Sequence, residues 1–162
     1  MLSKEEFKGI FDIHFDAIRS YVFYRCGDME LASDIAQDVF MQIWEKRFAW
    51  NGKQIKPLLY KIASDCFINN YRRNQCRLDF EQSLSFEHAN ECTPEDELSY
   101  SELTTAYEKA LAQMPEKQRT MFLMSREDGM KYAEIAYCLK ISVKAVEKQV
   151  SAALRFLRAK LL

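Results

Sequence analysis

The stretch Tyr132-Ala133-Glu134-Ile135-Ala136-Tyr137-Cys138-Leu139-Lys140-Ile141-Ser142-Val143-Lys144-Ala145-Val146-Glu147-Lys148-Gln149-Val150 decides how the chain is read. Two helical patterns, Tyr132–Leu139 and Ser142–Lys160, are separated only by Lys140-Ile141, and Ala136 is small enough for them to cross closely. Ile141, Val146, Val150, Leu154 and Leu157 recur at helical spacing and give the second helix an anchoring side. Its remaining surface carries Lys144, Lys148, Gln149, Ser151 and Arg155, and Ser142 is placed to cap its first turn. Two helices joined by so short a turn, the second basic on one face, form a helix-turn-helix pattern. Lysines and arginines there neutralise phosphates, while Lys148 or Gln149 can reach base edges. Charge alone fits an ordinary solvated helix better than a DNA reader. The turn spacing, the serine cap and a net +5 over residues 131–162 move the balance to DNA.

Working upstream, the spacing predicts helices at Leu98–Gln113 and Glu116–Glu127, with Pro115 at a helix start and Asp128-Gly129 as a break. Before them, residues 79–108 contain nine acids and no Lys or Arg. The Ser-, Thr- and Asn-rich run QSLSFEHANECTPEDE, with Pro94 inside it, reads as a linker. The N-terminal part is helical again. Ser3 and Glu6 fit a capping box. Phe7, Ile10, Phe11, His14, Ile18, Tyr21 and Val22 form one side of a helix that ends at Gly27-Asp28. Leu31, Ile35, Val39 or Phe40, and Ile43 or Trp44 stripe a second helix to about Lys46. Arg47 to Lys56 breaks the pattern, and from Pro57 a third helix runs into Arg72-Arg73. The fold class is therefore all-α: two small helical domains, residues 1–78 and 98–162, joined by a flexible acidic linker at 79–97.

Composition agrees with this. Among 162 residues there are only 4 Gly and 3 Pro, too few turn formers for a many-stranded sheet, and 48% apolar residues, enough for real cores. The net charge of −1 argues, at face value, against nucleic acid. It divides, however, into +2 over residues 1–78, −9 over 79–108 and +6 over 109–162. Both domains carry the cations, and the acidic tether can compete with DNA for them. The five cysteines show no C-x-x-C and no partnered His, so neither a metal site nor a disulfide framework is expected. Reduced thiols, a charged start without an apolar h-region, and no membrane-length apolar run point to a cytoplasmic protein. No nucleophile–base–orienter set is visible, which speaks against an enzyme, a cofactor or a small-molecule substrate.

A second basic cluster, Lys53, Lys56, Lys61, Arg72, Arg73 and Arg77, is interleaved with Phe48, Trp50, Tyr60, Phe67 and Tyr71. Flat rings beside cations suit single-stranded DNA. Tyr60 and Phe67, at helical spacing with Leu59 and Ala63, read as core. Trp50 and Asn51, in a polar stretch with Gly52, are better candidates for bases.

Asp34-Ile35-Ala36-Gln37-Asp38-Val39-Phe40-Met41-Gln42-Ile43-Trp44 closely resembles the D-I-x-Q-x-V-F-x-x-x-W signature of bacterial sigma factors of the extracytoplasmic-function group. Leu58-Leu59-Tyr60-Lys61-Ile62-Ala63, running on to Asn69 and Tyr71-Arg72-Arg73, is similar to the promoter-melting helix of that family. Ala110-Leu111, Met114 to Arg119, Tyr132 to Ala136 and Ile141 to Glu147 resemble its promoter-reading C-terminal domain.

The resemblance implies a promoter-specificity subunit whose partners are core RNA polymerase, at its clamp and flap, and promoter DNA, both duplex and single-stranded non-template strand. It implies that Asp34, Gln37, Asp38 and Gln42 dock on the clamp. Phe48, Trp50, Asn51, Lys56, Lys61, Asp65, Asn69, Arg72 and Arg73 would hold the minus-10 element. Arg119, Ser142, Lys144, Ala145, Lys148, Gln149, Ser151 and Arg155 would contact the minus-35 element. A membrane-bound anti-sigma factor is the implied regulator. Met121, Phe122 and Met124 could cradle the flap or be plain core. Asp65 stands where the family often has Asn, Asn69 where many members have Asp, Lys140 at a turn position commonly Gly or Asn, and Ala145 where Thr is frequent. The rival reading is a conventional helix-turn-helix regulator that dimerises through its N-terminal helices and needs no polymerase.

Overall fold

Short polar side chains mark where the helices begin and end. Ser3 caps α1 (Lys4–Cys26): its Oγ accepts from the Glu6 N–H at 3.1 Å, and the Glu6 carboxylate accepts from the Ser3 N–H at 2.8 Å. Two backbone donors that a helix start leaves orphaned are thereby satisfied. Gly27 closes α1 in the left-handed conformation, φ 71°, and its N–H returns to the Phe23 carbonyl at 2.7 Å. Asp28 then caps α2 (Met29–Glu45), accepting from the Leu31 N–H at 3.0 Å.

The computed structural model describes residues 2–46, 55–74 and 94–162. Within them the further helices are α3 (Ile55–Asn74), α4 (Pro94–Gln113), α5 (Glu116–Arg126), α6 (Tyr132–Leu139) and α7 (Val143–Leu161). No strand occurs among the described residues, and the fold is all-α. Two helices start earlier than the sequence pattern predicts. Helix α3 begins two residues ahead of Pro57, which falls in the first turn, where a missing N–H deprives the helix of nothing. Helix α4 begins at Pro94, four residues before Leu98, so the end of the expected 79–97 linker is helical. Residues 79–93 lie outside the described residues.

Helices α1 to α3 bury Ile18, Val22, Ile35, Val39, Phe40, Ile43, Leu59 and Ala63. Phe40 is ringed by Phe7, Phe11 and Phe15, with centroids at 6.5, 5.1 and 5.9 Å. The later helices bury Leu111, Leu123, Ile135, Val146, Val150 and Ala153. Met121, Phe122 and Met124 are buried with them, so of their two open readings the structure supports plain core. Tyr60 and Phe67 are core as well. The two helical units also pack on each other, α1 against α5 and α3 against α6, and their buried residues form one continuous cluster.

The helix-turn-helix has the expected punctuation. Lys140 turns the chain in the left-handed region at φ 53°, ψ 47°, the only non-glycine residue with positive φ among the described residues. That conformation costs an L-residue about 1 kcal/mol through its Cβ. Lys140→Gly is therefore expected to hold stability or raise it by up to about 1 kcal/mol, and Lys140→Val to lower it by more than that. Urea unfolding midpoints check both; a clear loss in Lys140→Gly would contradict the strain.

Candidate nucleic-acid interface

Ser142 accepts from the Ala145 N–H at 3.1 Å and fixes the start of α7. Lys144, Lys148, Ser151 and Arg155 recur along one exposed stripe of that helix. Its N-terminus carries the positive end of the helix dipole and unpaired N–H groups, both suited to phosphate. Ala145 and Gln149 occupy the flank beside that stripe and are only half-buried. On α3, Lys56, Lys61, Asp65 and Asn69 are exposed. Arg72 and Arg73 sit in its last turns. Phe48, Trp50 and Asn51 lie outside the described residues.

The two faces meet. A cleft of about 500 Å³ between the domains is lined by Lys61 and Asp65 from α3, Ala145 and Gln149 from α7, and Arg25 and Glu116 at one side. Asp65 thus points into open space rather than into the core.

Arg119 is not where a minus-35 contact would be. It is wholly buried, with 0% of its surface exposed. Its Nε donates to the Tyr24 carbonyl at 2.8 Å and its Nη2 to the Arg25 carbonyl at 2.9 Å. Nη1 donates to the carbonyls of Met114 at 3.1 Å and Leu111 at 3.3 Å. The last carbonyls of a helix have no partner within it and form the negative end of its dipole. The guanidinium therefore caps α1 and the end of α4 together. Burial pushes its pKa down and Glu116 opposes that; an arginine so bonded keeps its charge.

Two further contacts cross the same boundary. Arg25 Nε pairs with Glu116 at 2.6 Å, while Arg25 also donates to Ser64 Oγ at 2.9 Å and lies 4.3 Å over the Phe67 ring. The Tyr24 hydroxyl donates to Asp128 at 2.8 Å. Burial and the Asp128 charge push the Tyr24 pKa up, so the phenol keeps its proton.

On α2, Asp34, Gln37 and Asp38 form an exposed polar face. Gln42, grouped with them from the sequence, is half-buried and donates to Cys66 Sγ at 3.1 Å, so it also ties α2 to α3. Beside this face the sequence reading missed an apolar groove of about 440 Å³ formed by Phe7, Phe11, Phe40, Met41 and Trp44 with Gln37. Met41 and Trp44 are 57% and 43% exposed, high for such side chains. The available signal was their spacing, with Gln37, Met41 and Trp44 falling on one side of α2. Among the described residues there is no cluster that could hold a metal ion, and no helix is long and apolar enough to cross a membrane.

Residues 10–77 match the family described as Sigma-70 region 2, and residues 104–157 match Sigma-70, region 4. These are the two helical units, in the order expected. The chain belongs to the extracytoplasmic-function group of the sigma-70 family. The ferric citrate uptake sigma factor FecI of Escherichia coli K12 is 26% identical, the match covering 91% of this chain and 86% of that protein. The ECF RNA polymerase sigma factor SigW of Bacillus subtilis 168 is 26% identical over 98% of this chain and 90% of its own length. The sigma factor RpoE of Bartonella quintana, solved with the anti-sigma factor NepR, has the same fold, with a TM-score of 0.67, 19% identity and 97% of each chain covered. As a sigma factor this protein directs promoter-specific transcription with core RNA polymerase and is not an enzyme; the reading as an independent regulator is set aside.

If Arg119 is a structural tie, Arg119→Met should lower stability by about 3 kcal/mol, because it strands buried carbonyls. Arg155→Ala, on the exposed stripe of the sigma factor, should stay within about 0.5 kcal/mol. Urea unfolding decides; equal stability of the two variants would return Arg119 to the surface.

Proposed function

We propose that the two domains divide the promoter between them. Helix α7 lies in the major groove of the minus-35 element. Ser142, Lys144, Lys148, Ser151 and Arg155 hold phosphates while Gln149 reaches a base edge and Ala145 offers an apolar contact such as a thymine methyl accepts. Helix α3 and the segment before it hold the minus-10 element as it melts. Extruding a base costs a few kcal/mol, which stacking on Phe48 or Trp50 and hydrogen bonds from Asn51 and Asn69 offset. Lys56, Lys61, Arg72 and Arg73 carry the backbone charge, and Asp65 shapes the base preference. Asp34, Gln37, Asp38 and Gln42 dock on the polymerase clamp. Residues 1–78 and 98–162 are the working domains, with 79–97 as the span between them. The protein acts in the cytoplasm, where polymerase and chromosome meet. Its regulator is a membrane-bound anti-sigma factor that covers these faces; the fold likeness to RpoE, solved with the anti-sigma factor NepR, supports an anti-sigma partner.

The observation that carries this proposal is the capped, lysine-striped α7 on the same chain as the cationic, exposed side of α3. Run-off transcription with core polymerase on genomic fragments tests it. Initiation should begin at discrete promoters, and none on any template would sink the proposal. Lys144→Ala or Lys148→Ala should weaken holoenzyme binding to all promoters alike and flatten the logarithmic salt dependence by about one unit each, whereas Gln149→Ala should change sequence preference. Filter binding across a salt series reads both.

A further inference from the structure

We propose that Glu147 is a specificity-determining residue of this sigma factor, its carboxylate accepting a hydrogen bond from the amino group of a cytosine in the minus-35 element. The inference rests on the reading of α7 as the helix that enters the minus-35 major groove. Val143, Glu147 and Ser151 recur every fourth residue, are all exposed, and so form one row along α7. The adjoining side carries the cations Lys144, Lys148 and Arg155. Glu147 follows Lys144 by three residues and precedes Ser151 by four, which puts it inside the surface turned to the duplex.

The row of Val143 contains no cation, so phosphate is not what it is built to hold. Val143 is the first residue of α7 and is 42% exposed, an apolar side chain left in water at the end of the helix that enters a groove. Neither ion pair among the described residues, Arg19 with Asp16 and Arg25 with Glu116, uses Glu147.

A carboxylate in this position is selective by its chemistry. It only accepts hydrogen bonds, and phosphates repel it. What it can bind in the major groove is an exocyclic amino group, which only cytosine and adenine supply. Adenine sets the N7 lone pair beside its amino group, where it repels the second carboxylate oxygen. Cytosine has no acceptor on that edge. Guanine and thymine present acceptors alone, O6 with N7 and O4, and oppose a carboxylate outright. Glu147 thus favours cytosine by one attractive contact and disfavours the other bases by repulsion. Lys144, one turn earlier on the same face, lowers the cost of bringing the carboxylate near phosphates.

The test uses holoenzyme reconstituted from the full chain and core polymerase on a promoter library randomised across the minus-35 element. Each template is barcoded in its transcribed region, and the transcripts are sequenced. The wild type should prefer cytosine at one position, on one strand, by about tenfold over the other bases. Glu147→Ala should level that position and leave the others as they are. Glu147→Gln, whose amide both donates and accepts, should move the preference there to adenine. Both variants change an exposed side chain and should keep the helix content of the wild type by circular dichroism. A gain shared by all library members with every preference intact is what an ordinary solvated glutamate gives, and it overturns the proposal. So does a wild type whose minus-35 preferences include no cytosine. Failure of the α7 reading looks different: wild-type holoenzyme then shows no preference at any minus-35 position, and this inference falls with it.

Discussion

One guanidinium decides how the parts of this sigma factor sit together. Arg119 lies at the meeting of three helix ends: the last turn of α1, the last turn of α4 and the first turn of α5. Each helix end brings backbone groups that its own hydrogen bonds cannot reach. A planar cation with five donors is the side chain suited to collect several carbonyls at once. Its acceptors explain why α1 rests on α5. With α5 so placed, α6 packs on α3, and α7 follows from the short turn at Lys140.

Much of the fold was legible because its signals are local. Ser3 with Glu6, Gly27-Asp28 and Ser142 each act within one helical turn, and each performs the role its position predicts. The extent of α6 is also as predicted, since apolar spacing and a two-residue turn leave little freedom. Arg119 was not legible. A basic residue in the first turn of an amphipathic helix ordinarily faces water, and two of its acceptors are 94 and 95 positions away in sequence. No periodicity carries information across that distance. The groove around Trp44 was half legible: a stripe could go either way at Ile43 or Trp44, and only the packed structure places Ile43 inside and Trp44 outside.

The charge pattern also changes meaning once the helices are placed. The +6 of the C-terminal residues reads as a DNA footprint, yet Arg119 within it is withdrawn to bind carbonyls. Lys144, Lys148 and Arg155 stay in solvent on one stripe of α7, with the half-buried Gln149 at its edge. On the proposed promoter reading, phosphate attraction and base contact fall to different parts of one helix. The N-terminal cations are likewise split, Arg25 being committed to Glu116, Ser64 and Phe67 while Lys56 and Lys61 stay exposed.

The length of α1 separates two sets of contacts in space. Phe7, which meets the Trp44 ring at 5.1 Å, and Tyr24, which meets Asp128, lie near opposite ends of this one helix. At 1.5 Å of rise per residue they stand about 25 Å apart. The α2 groove is open to solvent while the far end of the rod is clasped to α5. The exposed groove and the buried contacts to α5 are therefore presented at opposite ends of one rod. The helix between them is a spacer, so a change of side chain at the groove leaves the packing at the far end untouched.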